Sequence, residues 1–361
     1  MLLKNISALN FRNYQELNLE LDLSKPLNFI ISPNGMGKSN LLELIYYLSY
    51  LRSFRNASDK EITKKNETFF FIEGKFENKF LKNKIKIKYS KNKELIYNDK
   101  KVKKFSDLFG RLLTVLFSNE DIFIINGSPA IRRKFFDIFI SVLDSKYLFF
   151  LKKYYEIIKQ KNFILKDKKQ KNLIAVYNFQ LAEIIYYIQT KRVEIVNKIN
   201  NLFQSNFNSL GLFKDKVKII YSPSIKNSLF DIEIIKKELE KNIDKELDYG
   251  FSLLGSHRDN YIFLMNGIVF SKYASLGQTR LASLVLKFVQ SEYYKEFFGI
   301  YPIILLDDVI LELDKERQKR FIQKISEYKQ IFLTVTNDEY LNLFKNKELI
   351  NVIRIENGRI K

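Results

Sequence analysis

The residues with the clearest chemical purpose are Asn34-Gly35-Met36-Gly37-Lys38-Ser39, which follow the apolar run Leu27-Asn28-Phe29-Ile30-Ile31 and lead straight into Asn40-Leu41-Leu42-Glu43. A short backbone loop can wrap a polyphosphate only if its N–H groups point inward and no side chain intervenes, which accounts for Gly35 and Gly37. Lys38 would then neutralise the β- and γ-phosphates, Ser39 would offer its hydroxyl to Mg²⁺, and the N-terminus of the following helix would add partial positive charge. The spacing matches G-x-x-x-x-G-K-S/T except at Ser32, where the first glycine is expected. Ser32, Pro33, Asn34, Gly35, Met36, Gly37, Lys38, Ser39 and Asn40 are therefore the first set of candidate cofactor-binding residues.

Two further constellations belong to the same chemistry. Tyr301-Pro302-Ile303-Ile304-Leu305-Leu306-Asp307-Asp308 is an apolar strand ending in two carboxylates, and ligands bind at the carboxyl ends of buried parallel strands. Asp307 would hold Mg²⁺ directly or through water, and Asp308 would polarise the attacking water. Upstream, Ser275-Leu276-Gly277-Gln278 opens a helix and forms a second anion-binding turn. One nucleotide needs two such devices chiefly when each comes from a different subunit.

The elements that must position these residues are spread over the whole chain of 361 residues, with 46% hydrophobic content and ample material for one large α/β domain or two lobes. Lys38 and Asp307 lie 269 residues apart, so something large is inserted between the two halves of the site. Leu3 to Leu9 and Leu17 to Leu23 read as strands, with a helix expected over about 38–51. The strands Thr68 to Ile72 and Lys84 to Tyr89 follow, and Leu112 to Phe117 reads as a buried strand. From Pro129 to about 205 the apolar spacing is helical. Val217 to Tyr221, a charged helix ending near Gly250, and the hairpin Tyr261 to Phe270 about Asn266-Gly267 follow. The expected divisions are 1–117, 118–250 and 251–361.

Composition excludes several classes of function. There is no Cys, and His257 is the single His, so disulfides, thiolate sites and multi-histidine metal centres are absent from one chain. Any metal is expected to be oxygen-bound, as Mg²⁺ is. The N-terminus is too soon polar for a signal peptide and no apolar run approaches the length of a membrane span, so a cytoplasmic protein with no membrane partner is expected. The net charge of +20 points to a polyanionic partner. Residues 60–104 carry fifteen lysines against six acids, and residues 151–200 carry eleven Lys or Arg against four. In 84–88 the lysines share one strand face, which suits either a DNA contact or protection of an edge strand.

The three motifs in this order, with Glu312-Leu313-Asp314 after the third, resemble those of the ABC-type ATPases. Phe11-Arg12-Asn13-Tyr14, Arg52-Ser53-Phe54-Arg55, Asn126-Gly127-Ser128-Pro129 with Arg132-Arg133, Gly255-Ser256-His257-Arg258-Asp259 and Leu306-Asp307-Asp308-Val309 are similar, more narrowly, to the bacterial RecF family of recombination proteins. The resemblance implies an ABC-type P-loop ATPase head, α/β with antiparallel N-terminal strands in a mixed sheet, carrying an inserted mainly helical second lobe. It implies ATP and Mg²⁺ as cofactors, a homodimer formed on ATP, and binding to double-stranded or gapped DNA. Work with RecR and RecO in loading a recombinase, and a weak DNA-dependent ATPase that acts as a switch, are implied as well.

On matching positions, Ser275, Gly277 and Gln278 would reach the γ-phosphate of ATP held by the opposing subunit. Asp308 and Lys38 would serve hydrolysis, Ser39 and Asp307 would serve Mg²⁺, Asp314 would lie on the dimer face, and Arg12 and Asn13 would contact nucleotide. Two positions depart from the family pattern: Ser32 replaces a glycine and Ser256 replaces a proline. The second carboxylate of Asp307-Asp308 is one methylene shorter than the Glu of transporter ATPases, and Thr336 takes the place of their switch histidine, so slow turnover is expected. Rival readings are a chromosome-organising head, which needs long heptad arrays that are missing here, a transporter subunit, and a nucleotide-binding scaffold that does not hydrolyse.

Overall fold

The computed structural model describes residues 1–361 except Phe80, Gln170, Leu212, Phe213, Phe230, Lys345 and Asn357; the side chains of Leu311 and Glu312 also lie outside the described residues. The chain divides into two compact units, one formed by Met1–Asn119 with Gln290–Lys361 and the other by Glu120–Val289.

The first unit is built on two six-stranded sheets. In one, Ile350–Glu356, Leu27–Ile31, Ile331–Val335, Ile303–Asp307 and Thr114–Ser118 lie side by side and all parallel, with Arg359–Ile360 added antiparallel at one edge. Continuous apolar runs such as Phe29-Ile30-Ile31 and Ile303-Ile304-Leu305-Leu306 are buried throughout, as a sheet covered on both faces requires. The other sheet is antiparallel, in the order Tyr14–Glu20, Leu2–Phe11, Phe70–Asn78, Leu81–Tyr89, Lys93–Tyr97, Lys100–Val102.

The helix Lys38–Tyr50 packs against both sheets and is buried from Leu41 to Tyr50. A helix apolar on nearly every side belongs in such a position. Gly74 gives it room, since a Cβ there would come within 2.7 Å of Leu48. Gln330, buried, links the sheets by accepting from Leu3 N at 2.7 Å and donating to Leu3 O at 2.8 Å. These two bonds imitate a strand pairing where none exists.

The lysine-faced strand turns out to be internal. Leu81–Tyr89 pairs on both sides, so Lys84, Lys86 and Lys88 cannot be guarding an edge. Lys84 and Lys86 are held by Asp99, and Lys86 also lies 3.5 Å from Glu73, which removes part of that face from service as a free cationic surface.

The second unit combines the helices Pro129–Leu143, Ser145–Asp167 and Asn172–Gly211 with a three-stranded antiparallel sheet of Ile268–Val269, Asn260–Met265 and Val217–Ser222. The Asn266-Gly267 turn closes the hairpin as expected, with both residues at positive φ, but Phe270 leaves the strand and begins a short helix, Phe270–Tyr273. Two of the basic residues in 151–200 are internal rather than superficial. Arg192 is completely buried between Asp137 and Asp259, and Lys161 is completely buried against Glu246. Each cation meets its carboxylate in the core, where a lone charge is not tolerated.

Candidate nucleotide site

The parallel strand Leu27–Ile31 delivers the chain to the glycine loop at its carboxyl end, and the helix Lys38–Tyr50 leaves from it. Gly35 stands at φ +83 with open space where a Cβ would be. Gly37 stands at φ +114, and a Cβ there would come within 2.6 Å of the Asn13 side chain. Backbone conformation alone demands glycine at 35, whereas conformation and room both demand it at 37. Ser32 occupies its turn without strain in the left-handed region; it is buried, and its hydroxyl donates to Pro33 O at 3.2 Å. Pro33 and Asn34 are exposed on the loop.

Lys38 is buried, with its ammonium donating to Ser32 O and to Asn34 Oδ1 inside the loop. Burial pushes this ammonium below its ordinary range, and the charges of Asp308 and Asp307 pull it back up. The neighbouring strand Ile303–Asp307 brings those two carboxylates to the same end of the sheet. Burial pushes the Asp307 carboxyl above its ordinary value and the Asp308 charge adds to this, while hydrogen bonds from Ser39 and Thr334 work in the other direction. Ser39 and Asp307 are therefore adjacent oxygen donors. That pair suits Mg²⁺, which takes one or two protein oxygens and completes its shell with phosphate and water. Among the described residues no group of three or more His, Cys, Asp and Glu is placed to hold a metal alone.

Arg12, Asn13 and Tyr14 brace the loop from behind. Asn13 Nδ2 donates to Met36 O at 3.0 Å, Asn13 Oδ1 accepts from Asn40 Nδ2 at 2.8 Å, and the buried Tyr14 hydroxyl donates to Gly37 O at 2.9 Å. Arg12, at φ +55, places Nε and Nη2 each 2.7 Å from the carboxylate of Glu43, one turn into the helix. Glu43 also accepts from Ser53, and Arg55 Nη1 donates to Asn40 Oδ1 at 2.9 Å. Sequence reasoning missed Glu43, although a single acid within Leu41-Leu42-Glu43-Leu44-Ile45 was the available signal.

Thr334 was missed as well. It sits buried at the end of the strand Ile331–Val335, with its hydroxyl among Asp307 and Asp308. Thr336, expected at the switch position, lies just beyond that strand and is half-buried. Asp314 is exposed and caps the helix Lys315–Ile325, accepting from Arg317 N at 2.9 Å.

In the second unit, Ser275 and Gln278 form a reciprocal cap on the helix Leu276–Phe298: Gln278 N donates to Ser275 Oγ at 3.2 Å and Ser275 N donates to Gln278 Oε1 at 2.9 Å. Gly277 is half-buried between them. The turn is solvent-facing and carries unusual apolar exposure, with Leu276 61% and Tyr273 52% accessible.

Arg132 and Arg133 are engaged with backbone rather than presented to solvent. Arg132 Nη1 donates to Gly127 O at 2.7 Å, and Arg133 Nη1 donates to Asp259 O at 2.8 Å. His257 is a structural hydrogen-bonding residue. Its Nδ1 pairs with the Tyr154 hydroxyl and its Nε2 faces Ser252 O at 3.2 Å, while burial pushes it down to about 4.

The family model for the RecF/RecN/SMC N-terminal domain matches residues 2–361. A DNA replication and repair protein RecF from Clostridium tetani is 35% identical over 366 residues, covering 99% of each chain, and one from Leptospira interrogans is 34% identical over 363 residues, covering 98% of each. A solved structure of the recombination mediator protein RecF-ATP in the RecFOR pathway superposes with a TM-score of 0.91 at 33% identity, covering 100% of this chain and 97% of that one. With its glycine loop, paired carboxylates and helical insertion on the same α/β head, this chain belongs to the RecF family.

Proposed function

We propose that the protein is an ATP-dependent DNA-binding protein of recombinational repair and replication restart, which dimerises on ATP at double-stranded or gapped DNA and hydrolyses the nucleotide slowly. The observation that carries this reading is the meeting of Lys38, Ser39, Asp307 and Asp308 at one end of the parallel sheet. With nucleotide bound, Lys38 would exchange its contacts with Ser32 O and Asn34 Oδ1 for phosphate oxygens, and loop N–H groups and the helix N-terminus would take the remaining charge. Ser39 and Asp307 would hold Mg²⁺, which would supply positive charge to stabilise the phosphate oxygens. Asp308 orients the attacking water. Its short reach supports slow turnover.

Ser275, Gly277 and Gln278 act on the nucleotide of a second copy. The exposed Leu276 and Tyr273 beside them support that assignment, because an apolar rim around a polar turn favours a protein partner. RecR and RecO are the further partners that the family relationship supports, and a cytoplasmic location follows from the same work on DNA. No helix among the described residues is long and apolar enough to cross a membrane.

Two measurements test the reading together. Binding of a fluorescent ATP analogue should be lost in Lys38→Ala, and gel filtration should show an ATP-dependent dimer in the wild type but a monomer in Ser275→Arg. Unchanged binding in the first variant, or an unchanged dimer in the second, would contradict the assignment of that motif.

A further inference from the structure

We infer that Thr334 is a positioning residue for hydrolysis, its hydroxyl fixing both the backbone turn and the carboxylate of Asp308. The inference rests on the nucleotide-site reading above and extends it to a residue outside the three motifs.

The strand Ile331–Val335 runs between Leu27–Ile31, which leads to the glycine loop, and Ile303–Asp307, which leads to the carboxylates. Registers of Leu306 with Leu333 and of Ile30 with Thr334 put Thr334 at the head of both neighbours, where the phosphate loop and the carboxylate turn begin. Thr334 is 3% exposed, so solvent does not satisfy its hydroxyl.

Asp308 leaves the strand at φ 56, ψ 14, a left-handed conformation that few non-glycine residues adopt. Its N–H, turned out of the ladder, donates to Thr334 Oγ1 at 2.9 Å. With one lone pair used in this way, the hydroxyl has a single proton to give. Asp308 Oδ1 lies at 3.0 Å, Asp307 Oδ1 at 3.3 Å and Leu306 O at 3.4 Å. The nearest acceptor is the carboxylate of the residue whose N–H the same oxygen already holds. Thr334 therefore closes a small ring on Asp308 that fixes where its second oxygen points. Asp307 is served by Ser39 as well as by the longer contact to Thr334, whereas Asp308 takes the shorter contact to Thr334.

Valine at 334 keeps the shape and removes the hydroxyl; serine keeps the hydroxyl and removes a methyl. In Thr334→Val, single-turnover hydrolysis of Mg-ATP should fall about tenfold to a hundredfold, the scale of a misdirected reacting group. Affinity for a fluorescent ATP analogue should stay within about threefold, because the hydroxyl is engaged with the carboxylate turn. Thr334→Ser should recover most of the rate. A purely structural threonine would move affinity and melting temperature together with the rate, and would not distinguish serine from valine.

Hydrolysis by Thr334→Val at the wild-type rate, or an equal loss in Thr334→Ser, would overturn the inference. If the valine variant does not fold, Thr334→Ala against Thr334→Ser decides the same question by the same criterion. A wild-type protein that bound no ATP would instead remove the nucleotide-site reading itself, so the two failures are distinct.

Discussion

Arg12 and Glu43 form a two-pronged ion pair, Nε and Nη2 each 2.7 Å from a carboxylate oxygen, with the Glu43 side chain completely buried. This pair fastens the turn between the first two strands to the helix that carries Lys38 and Ser39. It follows that Arg12, read from the sequence as a nucleotide contact, has its guanidinium committed first to the helix. Removing Arg12 leaves a buried carboxylate with only Ser53 and the more distant Arg55. Arg12→Ala should therefore destabilise the protein by about 3 kcal/mol, as loss of one partner of a buried pair does. The double variant Arg12→Ala/Glu43→Gln should be less unstable than the sum of the single changes. Denaturant unfolding of the four proteins measures this coupling.

The two loop glycines should respond differently to alanine. Gly35→Ala meets only the cost of its left-handed backbone, about 1 kcal/mol, since nothing lies within 4 Å of the new Cβ. Gly37→Ala must also displace Asn13, and with it the bond to Met36 O that shapes the loop. ATP affinity should fall severalfold in the first variant and more than about tenfold in the second, the latter a loss above about 1.4 kcal/mol. Isothermal titration with ATP and Mg²⁺ reads both.

In the second unit, Arg192 donates from Nη2 to Asp137 Oδ1 and from Nη1 to Asp259 Oδ2, both at 2.8 Å, and also to Ser256 O at 2.7 Å. Lysine cannot reproduce that fork. Arg192→Lys and Arg192→Ala should both lower the melting temperature markedly, with a loss of about 3–5 kcal/mol for the alanine. Thermal unfolding followed by circular dichroism checks this, and a lysine variant as stable as wild type would contradict the geometric account.

His257 gives the second unit a pH dependence of known sign. Burial holds its folded pKa at about 4 against an ordinary 6.5, with Arg258 and Arg133 also opposing protonation and Asp259 favouring it. The unfolded chain takes up the proton first. Stability contributed by neutral His257 is therefore present above pH 6.5, is lost as pH falls from there toward about 4, and does not fall further below it. The span corresponds to about 3 kcal/mol. His257→Gln should flatten this part of the stability profile, measured by urea unfolding at several pH values.

How much of this was legible in the sequence depended on whether the signal was local. The glycine loop and the strand Ile303–Asp307 announce themselves because turn chemistry and full burial leave marks on consecutive residues. The helical insertion was legible from its spacing. Glu43 and Thr334 were not assigned, because their meaning lies in partners far along the chain: Arg12 is 31 positions from Glu43, and Asp308 is 26 from Thr334. Lys84 and Lys86 show the converse. Alternation placed them on one face, but strand neighbours and the counter-charges of Asp99 and Glu73 are set by register, which a single strand does not specify. Likewise, charge counting could not separate Lys161 and Arg192, which are internal, from lysines of the same segments that face water.

The central claim is that nucleotide held by Lys38 controls attachment to DNA, and duplex binding measured with and without ATP tests it most directly. Wild-type protein should bind duplex DNA more tightly with ATP, and that affinity should weaken steeply with salt, as release of counterions from phosphates requires. Lys38→Arg should show no tightening by ATP. Equal affinity for wild type and variant, with and without ATP, would contradict the account.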